Sequence, residues 1–388
     1  MKYSTMIAFQ APTKITFGPA VISKLGNLVK DYSKRIMVLS MKDIPSLPDI
    51  LRLLEKNGAE VCLFDEIPPN PLDSTVDETA KIARKSGCEL IVGLGGGSSI
   101  DAAKATAVLA THEGKAWEYT VEMGKDKRPI NQKILPVIAI PTTAGTGAEV
   151  TMNAILTNPV TKQKSPVQST RICPAHALVD PELTVTMPSK VTAATGFDAF
   201  THAFERFLCA DSFPFIDSMA FVAMKIVVNN LGEVLDEPEN IELRSAMSWA
   251  ATQAGLTLLA TSMGESGLHV FSLPISAHFQ IPHGEAVALS MPIALPELCK
   301  IRPQKAAKLA RLFSEEVPQS EKEACDFAVH KMDEWLCEIS LKRKLSDYGI
   351  KESDIPKLAK SLNIDRIQRA WEREMSYQEV ETYYKKNL

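Results

Sequence analysis

Between residues 35 and 141, short apolar runs alternate with stretches of helical period: RIMVLSM, SLPDILRLLEKNG, AEVCLFDE, STVDETAKIARKSG, CELIVGLGG, SIDAAKATAVLA and ILPVIAIPTT. Strands separated by a helix's worth of chain do not pair as tight hairpins, so the alternation restricts this region to a parallel sheet flanked by helices. LIVGL and PVIAI are apolar throughout, as strands covered on both faces must be. Upstream, IAFQAPTKITFG reads as two short strands about a proline turn, an edge or dimer-exchange element. After DPELTVTMPSK the pattern turns helical almost to the end, with Ser189 as the expected N-cap. The expected division is an α/β unit over 1–187 and an all-α unit over 188–388.

The chain has 388 residues, 45% hydrophobic and 23% charged, which excludes disorder and allows two domains. A net charge of −4 with Lys and Arg spread along the chain leaves no basic stripe for nucleic acid. No stretch approaches the roughly 18 uninterrupted apolar residues of a membrane span, and the N-terminus lacks the pattern of a secretory signal. The expectation is a cytoplasmic protein with no membrane partner. Seven scattered cysteines, none in a C-x-x-C pair, indicate reduced thiols rather than a disulfide framework or a zinc knuckle.

Two glycine-rich turns leave apolar strands. LIVGLGGGSSIDAAK places Gly93, Gly95, Gly96 and Gly97 before a helix opening at Ser98 and Ser99. Glycines admit an anion close to the backbone, and the helix N-terminus aims free N–H groups at it, so a diphosphate fits there. The turn is neither a Walker loop nor a clean G-x-G-x-x-G, so the motif alone is moderately specific, with a tight turn before a helix as the alternative reading. IAIPTTAGTGAEVT adds Thr142, Thr143 and Thr146 with Gly145 and Gly147. Two such turns at the carboxyl ends of parallel strands are where an open α/β sheet binds a nucleotide.

GFDAFTHAFE puts Asp198 and His202 four apart, on one face of a helix. Alone, the pair reads equally as an aspartate fixing a core histidine. SGLHVFSLPISAHFQIPHGEA then offers His269, His278 and His283. Three imidazoles and a carboxylate suit a borderline dication such as Fe²⁺ or Zn²⁺ with positions left open for a substrate oxygen. Were 267–280 a single helix, His278 would face about 180° away from His269. His269 and His283 are therefore the chosen partners of Asp198 and His202. His278 is assigned to a supporting or surface position, and His112, His176 and His330 to structural or solvent-facing ones.

In order along the chain, NP at 70–71, GGGSSIDAAK, PTTAGTGAEVT, DPELT at 180–184, TGFDAFTHAFE and the closing PHG resemble the iron-containing (group III) alcohol dehydrogenases, a family that includes lactaldehyde reductases and butanol dehydrogenases. The resemblance implies a dehydroquinate synthase-like architecture with the metal between the two domains. It implies Asp198, His202, His269 and His283 as ligands of Fe²⁺, with Zn²⁺ as the alternative. It implies Gly95, Gly96, Gly97, Ser98, Asp101, Thr142, Thr143, Thr146, Asn70 and Lys164 as contacts of NAD or NADP. The implied activity is reversible hydride transfer between the nicotinamide and a small primary alcohol or aldehyde, in a homodimer or larger homo-oligomer.

Three departures stand out. Leu273 occupies the place of a proton-relaying histidine, Met41 and Lys42 stand about where NAD-preferring members carry an aspartate, and WEREMS replaces N-P-R near the C-terminus. Met263, Ser266, Phe271 and Leu273 are pocket candidates, and Arg171 is read as a surface residue before an anion site. The competing readings are a dehydroquinate synthase-like lyase using NAD and metal without net redox change, which wants more Lys and Arg than residues 255–283 hold, and a non-enzymatic scaffold.

Overall fold

The computed structural model describes residues 9–121, 126–161, 163–260 and 266–388. Its strands are β1 (Lys14–Phe17), β2 (Arg35–Leu39), β3 (Glu60–Phe64), β4 (Leu90–Gly95), β5 (Val137–Pro141), β6 (Asn153–Thr157), β7 (Lys164–Gln168) and β8 (His176–Val179). The first helices are α1 (Leu25–Lys30), α2 (Leu47–Lys56), α3 (Asp73–Lys85) and α4 (Gly97–Leu109). Then come α5 (Ser189–Leu208), α6 (Pro214–Asp236), α7 (Ile241–Thr257), α8 (Leu268–Phe279) and α9 (His283–Ile301). The longer elements that follow are α10 (Glu321–Glu338), α11 (Ile355–Ser361), α12 (Ile364–Trp371) and α13 (Tyr377–Lys385).

Six strands form one sheet in the order β1-β8-β5-β4-β2-β3, every described pairing parallel. β4 and β5 are buried at every position, matching their continuous apolar sequence. One face packs Val38, Leu94 and Ile140 against Ile50 and Leu54 of α2. The other packs Met37, Ile91 and Val137 against the alanines of α4. Succession turns back between β2 and β4, and at such a switch the turns leaving the strands' carboxyl ends open outward. Of the two short strands expected in IAFQAPTKITFG, KITF forms the sheet-edge strand β1; the other begins outside the described residues. A separate antiparallel hairpin, β6 with β7, was not expected from the sequence.

The chain divides into two compact units. One comprises Gln10–Met187 with Glu239–Leu259; the other contains Phe9, Pro188–Pro238 and Ala260–Leu388. α7, beyond the expected 187/188 boundary in the chain, packs on the α/β unit. The reason is a backbone contact between two glycines: a Cβ on Gly147, whose φ is +62°, would lie 2.5 Å from the Cα of Gly255. Thr252 of α7 also donates to the buried Glu149, Oγ1 to Oε1 at 2.7 Å.

In the helical unit, α5 begins at Ser189 with Pro188 in the cap position, one residue earlier than expected. Phe197 and Phe200 of α5 pack around Trp335 of α10. α6 is long and apolar enough by mean hydropathy to cross a bilayer, although Asp217 and Lys225 interrupt its apolar run; it packs along α5. All seven cysteines are free thiols.

Candidate active site

Asp198, His202 and Glu205 lie at intervals of four and three on α5, on one stripe of the helix. His269 stands in the first turn of α8, and His283 opens α9 behind Pro282. Gly284 explains how α9 comes so near: a Cβ there would lie 2.1 Å from the carbonyl oxygen of Ala194. Only a residue without a side chain lets the first turn of α9 rest on α5 one turn before Asp198.

The four groups converge. The Nε2 atoms of His269, His283 and His202 stand 3.5, 3.6 and 3.8 Å from Oδ1 of Asp198. Donor atoms of Asp198, His269 and His283 all lie within 4.8 Å of one another. The His202 and His269 rings are parallel within 2° at 5.0 Å between centroids. Asp198 is 3% exposed, and burial alone would raise its pKa; the surrounding imidazoles outweigh that and hold the carboxyl well below the usual range.

Asp198 Oδ1 and His269 Nε2 are buried without a hydrogen-bond partner among the described residues. At 3.5 Å they are too far apart for a charge-assisted bond. Both atoms aim at the shared space. Ligands about 2.1 Å from a tetrahedral ion are about 3.4 Å apart, so separations of this size suit four donors around one borderline dication.

Glu205 is the residue that sequence reasoning missed. Its Oε2 accepts from Nδ1 of His269 at 2.7 Å, and its Oε1 accepts from the His269 backbone N–H at 3.1 Å and the Ser266 hydroxyl at 3.2 Å. Burial would raise its pKa, but His269 more than offsets this and keeps it ionised. Burial likewise disfavours charge on His269, while Glu205 and Asp198 together raise its pKa well above the imidazole range. The signal for Glu205 was available in the sequence: it continues the Asp198–His202 stripe by one more turn.

Other expected positions have different partners. His278 meets Ser361 Oγ at 2.8 Å through Nε2, away from the cluster. His112 uses both ring nitrogens on main-chain groups, Val108 O and Gln132 N, and His176 meets Thr16 Oγ1 at 2.8 Å. His330 and Arg171 are exposed. Of the pocket candidates, Ser266 and Phe271 are buried, Leu273 is half-buried, and Met263 lies outside the described residues. WEREMS has a structural task here: the Trp371 indole N–H donates to the Ser266 carbonyl at 2.8 Å, and Arg373 pairs with Glu379.

In the α/β unit the two glycine-rich turns are neighbours, joined by Thr142 N–H to the Gly95 carbonyl at 3.0 Å. α4 starts at Gly97, so Gly96, Gly97 and Ser98 carry the free N–H groups of its first turn. Asn70, with φ of +58°, donates its N–H to Ser98 Oγ at 3.1 Å and accepts from Lys164 Nζ at 2.8 Å. Burial depresses Lys164 to about 8. Thr146 Oγ1 accepts from Ala148 N–H. Each oxygen of Asp101 has a partner: Oδ2 accepts from Ile155 N–H at 2.9 Å, and Oδ1 faces Lys104 at 3.3 Å. Lys104 is fully buried and also donates to Thr151 Oγ1 and the Asn153 carbonyl, clamping the β6–β7 hairpin to α4.

Residues 12–181 match the iron-containing alcohol dehydrogenase family, and residues 192–388 match the C-terminal part of the Fe-containing alcohol dehydrogenases. The chain belongs to this family. Among iron-containing alcohol dehydrogenase relatives, the 1,3-propanediol dehydrogenase of Citrobacter freundii is 31% identical over 361 residues, covering 91% of this chain and 92% of that protein. The NAD-dependent methanol dehydrogenase of Bacillus methanolicus is 30% identical over 92% of this chain and 93% of its own. Among solved structures, an archaeal alcohol dehydrogenase from a Red Sea brine pool superimposes with a TM-score of 0.91 at 31% identity, each chain covered completely. The sulfoacetaldehyde reductase of Bifidobacterium kashiwanohense, in complex with NAD⁺, does so at 0.86 and 30% identity over 99% of both chains. The chain is an alcohol oxidoreductase with the dehydroquinate synthase-like architecture of its family, and this activity prevails over the lyase reading.

Proposed function

We propose that this alcohol dehydrogenase interconverts small primary alcohols and aldehydes with NAD or NADP, using a dication held by Asp198, His202, His269 and His283. The observation that carries the reading is the ring of three Nε2 atoms around the buried Asp198 Oδ1. Fe²⁺ is the first choice and Zn²⁺ the alternative, since both take this donor set. A bound dication polarises the alcohol oxygen as a Lewis acid and lowers its pKa, and the nicotinamide supplies the hydride acceptor.

The chain's own residues do the rest. Asp198 is the one carboxylate among the four ligands, and Glu205 lies behind His269, so the open side of a bound dication would face the substrate oxygen without a negative ligand beside it. Leu273 carries no proton, so proton exchange falls to water or to hydroxyls of the cofactor. Gly95, Gly96, Gly97 and Ser98 offer N–H groups to the diphosphate, with Thr142, Thr143 and Thr146 beside them; Asn70 and Lys164 present polar groups to the ribose. Asp101 serves the dinucleotide by holding the hairpin in place.

The propanediol and methanol relatives support small primary alcohols, and the sulfoacetaldehyde reductase supports including anionic aldehydes. Free thiols support a reducing compartment. The test is a panel of neutral and anionic aldehydes with NADH and with NADPH, on protein loaded anaerobically with Fe²⁺. No nicotinamide oxidation with any aldehyde, or full activity and metal content in His269→Ala, refutes the reading.

A further inference from the structure

We propose that Glu205 is a positioning residue for the metal: its acceptor-only carboxylate fixes His269 with Nδ1 protonated and Nε2 bare and directed at the space beside Asp198 Oδ1. The inference rests on the four-ligand reading and deepens it.

Three donors converge on this one carboxylate: the Ser266 hydroxyl, the His269 backbone N–H and His269 Nδ1. An ionised carboxylate only accepts, so the proton on Nδ1 stays and the one that a metal displaces is the proton on Nε2. The other nitrogen is thereby left free to ligate. Two attachments, at ring and backbone, set both the rotation of the imidazole and the first turn of α8 that carries it. Histidine ligands of metals generally need such an outer partner, and losing it costs about 10- to 100-fold in metal affinity.

The partner is itself held from behind. Trp371, 1% exposed, donates its indole N–H to the Ser266 carbonyl at 2.8 Å, and Tyr384, fully buried, donates to the Phe271 carbonyl at 2.8 Å. Residues from α12 and α13 thus brace both ends of the turn that presents His269. Glutamine at 205 would preserve the volume but supply one oxygen where three donors need two. With its oxygen toward the ring, its NH₂ opposes the His269 backbone N–H. With its NH₂ toward the ring, the imidazole must move its proton to Nε2 and block the ligand position.

The experiment measures Co²⁺ affinity of the full-length metal-free protein by chelator competition, together with the visible absorption of the Co²⁺ form. It compares wild type with Glu205→Gln, Ser266→Ala and His269→Ala. Glu205→Gln is expected to weaken Co²⁺ at least tenfold and to change the spectrum, and Ser266→Ala to weaken it about threefold. His269→Ala loses a ligand outright and sets the lower bound. If Glu205→Gln binds within twofold of wild type with the same spectrum while His269→Ala does not, the positioning role is overturned and the metal site stands. If wild type itself takes up no stoichiometric Co²⁺, both fall. Should Glu205→Gln not fold, Ser266→Ala decides, with wild-type affinity and spectrum overturning the proposal.

Discussion

Replacing Gly284 with alanine tests how the site is assembled more sharply than deleting a ligand. The added methyl would stand 2.1 Å from the Ala194 carbonyl oxygen, 2.6 Å from its carbon and 3.0 Å from its Cα. Every one of these atoms is backbone in the middle of a 20-residue helix, and that carbonyl accepts the helical bond from the N–H of Asp198. Nothing flexible can give way, so α9 must withdraw by roughly 1 Å to restore ordinary contact. His283 adjoins Gly284 and travels with it. Its Nε2 now stands 3.6 Å from Asp198 Oδ1, and metal–ligand distances tolerate only about 0.2 Å. The expected outcome is a loss of about 100-fold in kcat with the ion bound. Overpacking should also cost about 1–3 kcal/mol of stability. Metal titration, steady-state rates and denaturant unfolding of the same preparation read all three quantities. Gly284→Ala with wild-type affinity, rate and midpoint would show that α9 reaches the site by another route.

Lys104→Met leaves Asp101 charged without its buried partner and should cost about 3–5 kcal/mol, with weaker dinucleotide binding as the hairpin carrying Lys164 loosens; chemical denaturation and cofactor titration check both. Met41→Asp sets a carboxylate at the end of β2 and should lower kcat/KM with NADPH by roughly tenfold or more while sparing NADH, and an unchanged ratio refutes the placement. Lys164 loses its proton near 8 when folded but only near its ordinary value of 10.5 when unfolded, so the unfolded chain binds more protons across that window. Stability contributed by this lysine should therefore rise as pH goes from about 8 to 10.5. Lys164→Met should abolish the rise, as urea midpoints measured at several pH values would reveal.

What the sequence disclosed followed from patterns with a period. The strand and helix alternation, the apolar runs of β4 and β5, and the four-residue spacing of Asp198 and His202 are all local signals, and the fold contains them. The β6–β7 hairpin buries alternate residues, Ala154, Leu156 and Val167 in one cluster, but each strand is five residues long, with Ile155 turned outward and Pro166 opposite it, so the sequence pattern is faint. α7 shows little one-sided patterning in sequence, and the Gly147–Gly255 contact and the Thr252–Glu149 hydrogen bond, both tertiary, tie it to the α/β unit. Glu205 continues the Asp198–His202 stripe, but the groups that give it a task, Ser266 and His269, lie more than sixty residues away. Asp101 sits inside a cofactor-binding motif, yet its own hydrogen bonds turn it inward. What a local window lacks in these cases is the tertiary partner; for Glu205 the helical stripe was legible and its partners were not.

The route of α7 has a practical reach. Because the sheet-bearing unit is assembled from two separate stretches of chain, 10–187 and 239–259, neither truncation at residue 187 nor a single crossover with a relative yields a whole unit. A recombinant built to exchange cofactor preference between two family members must graft both stretches together, or Gly147 of one parent will confront a helix shaped for the other.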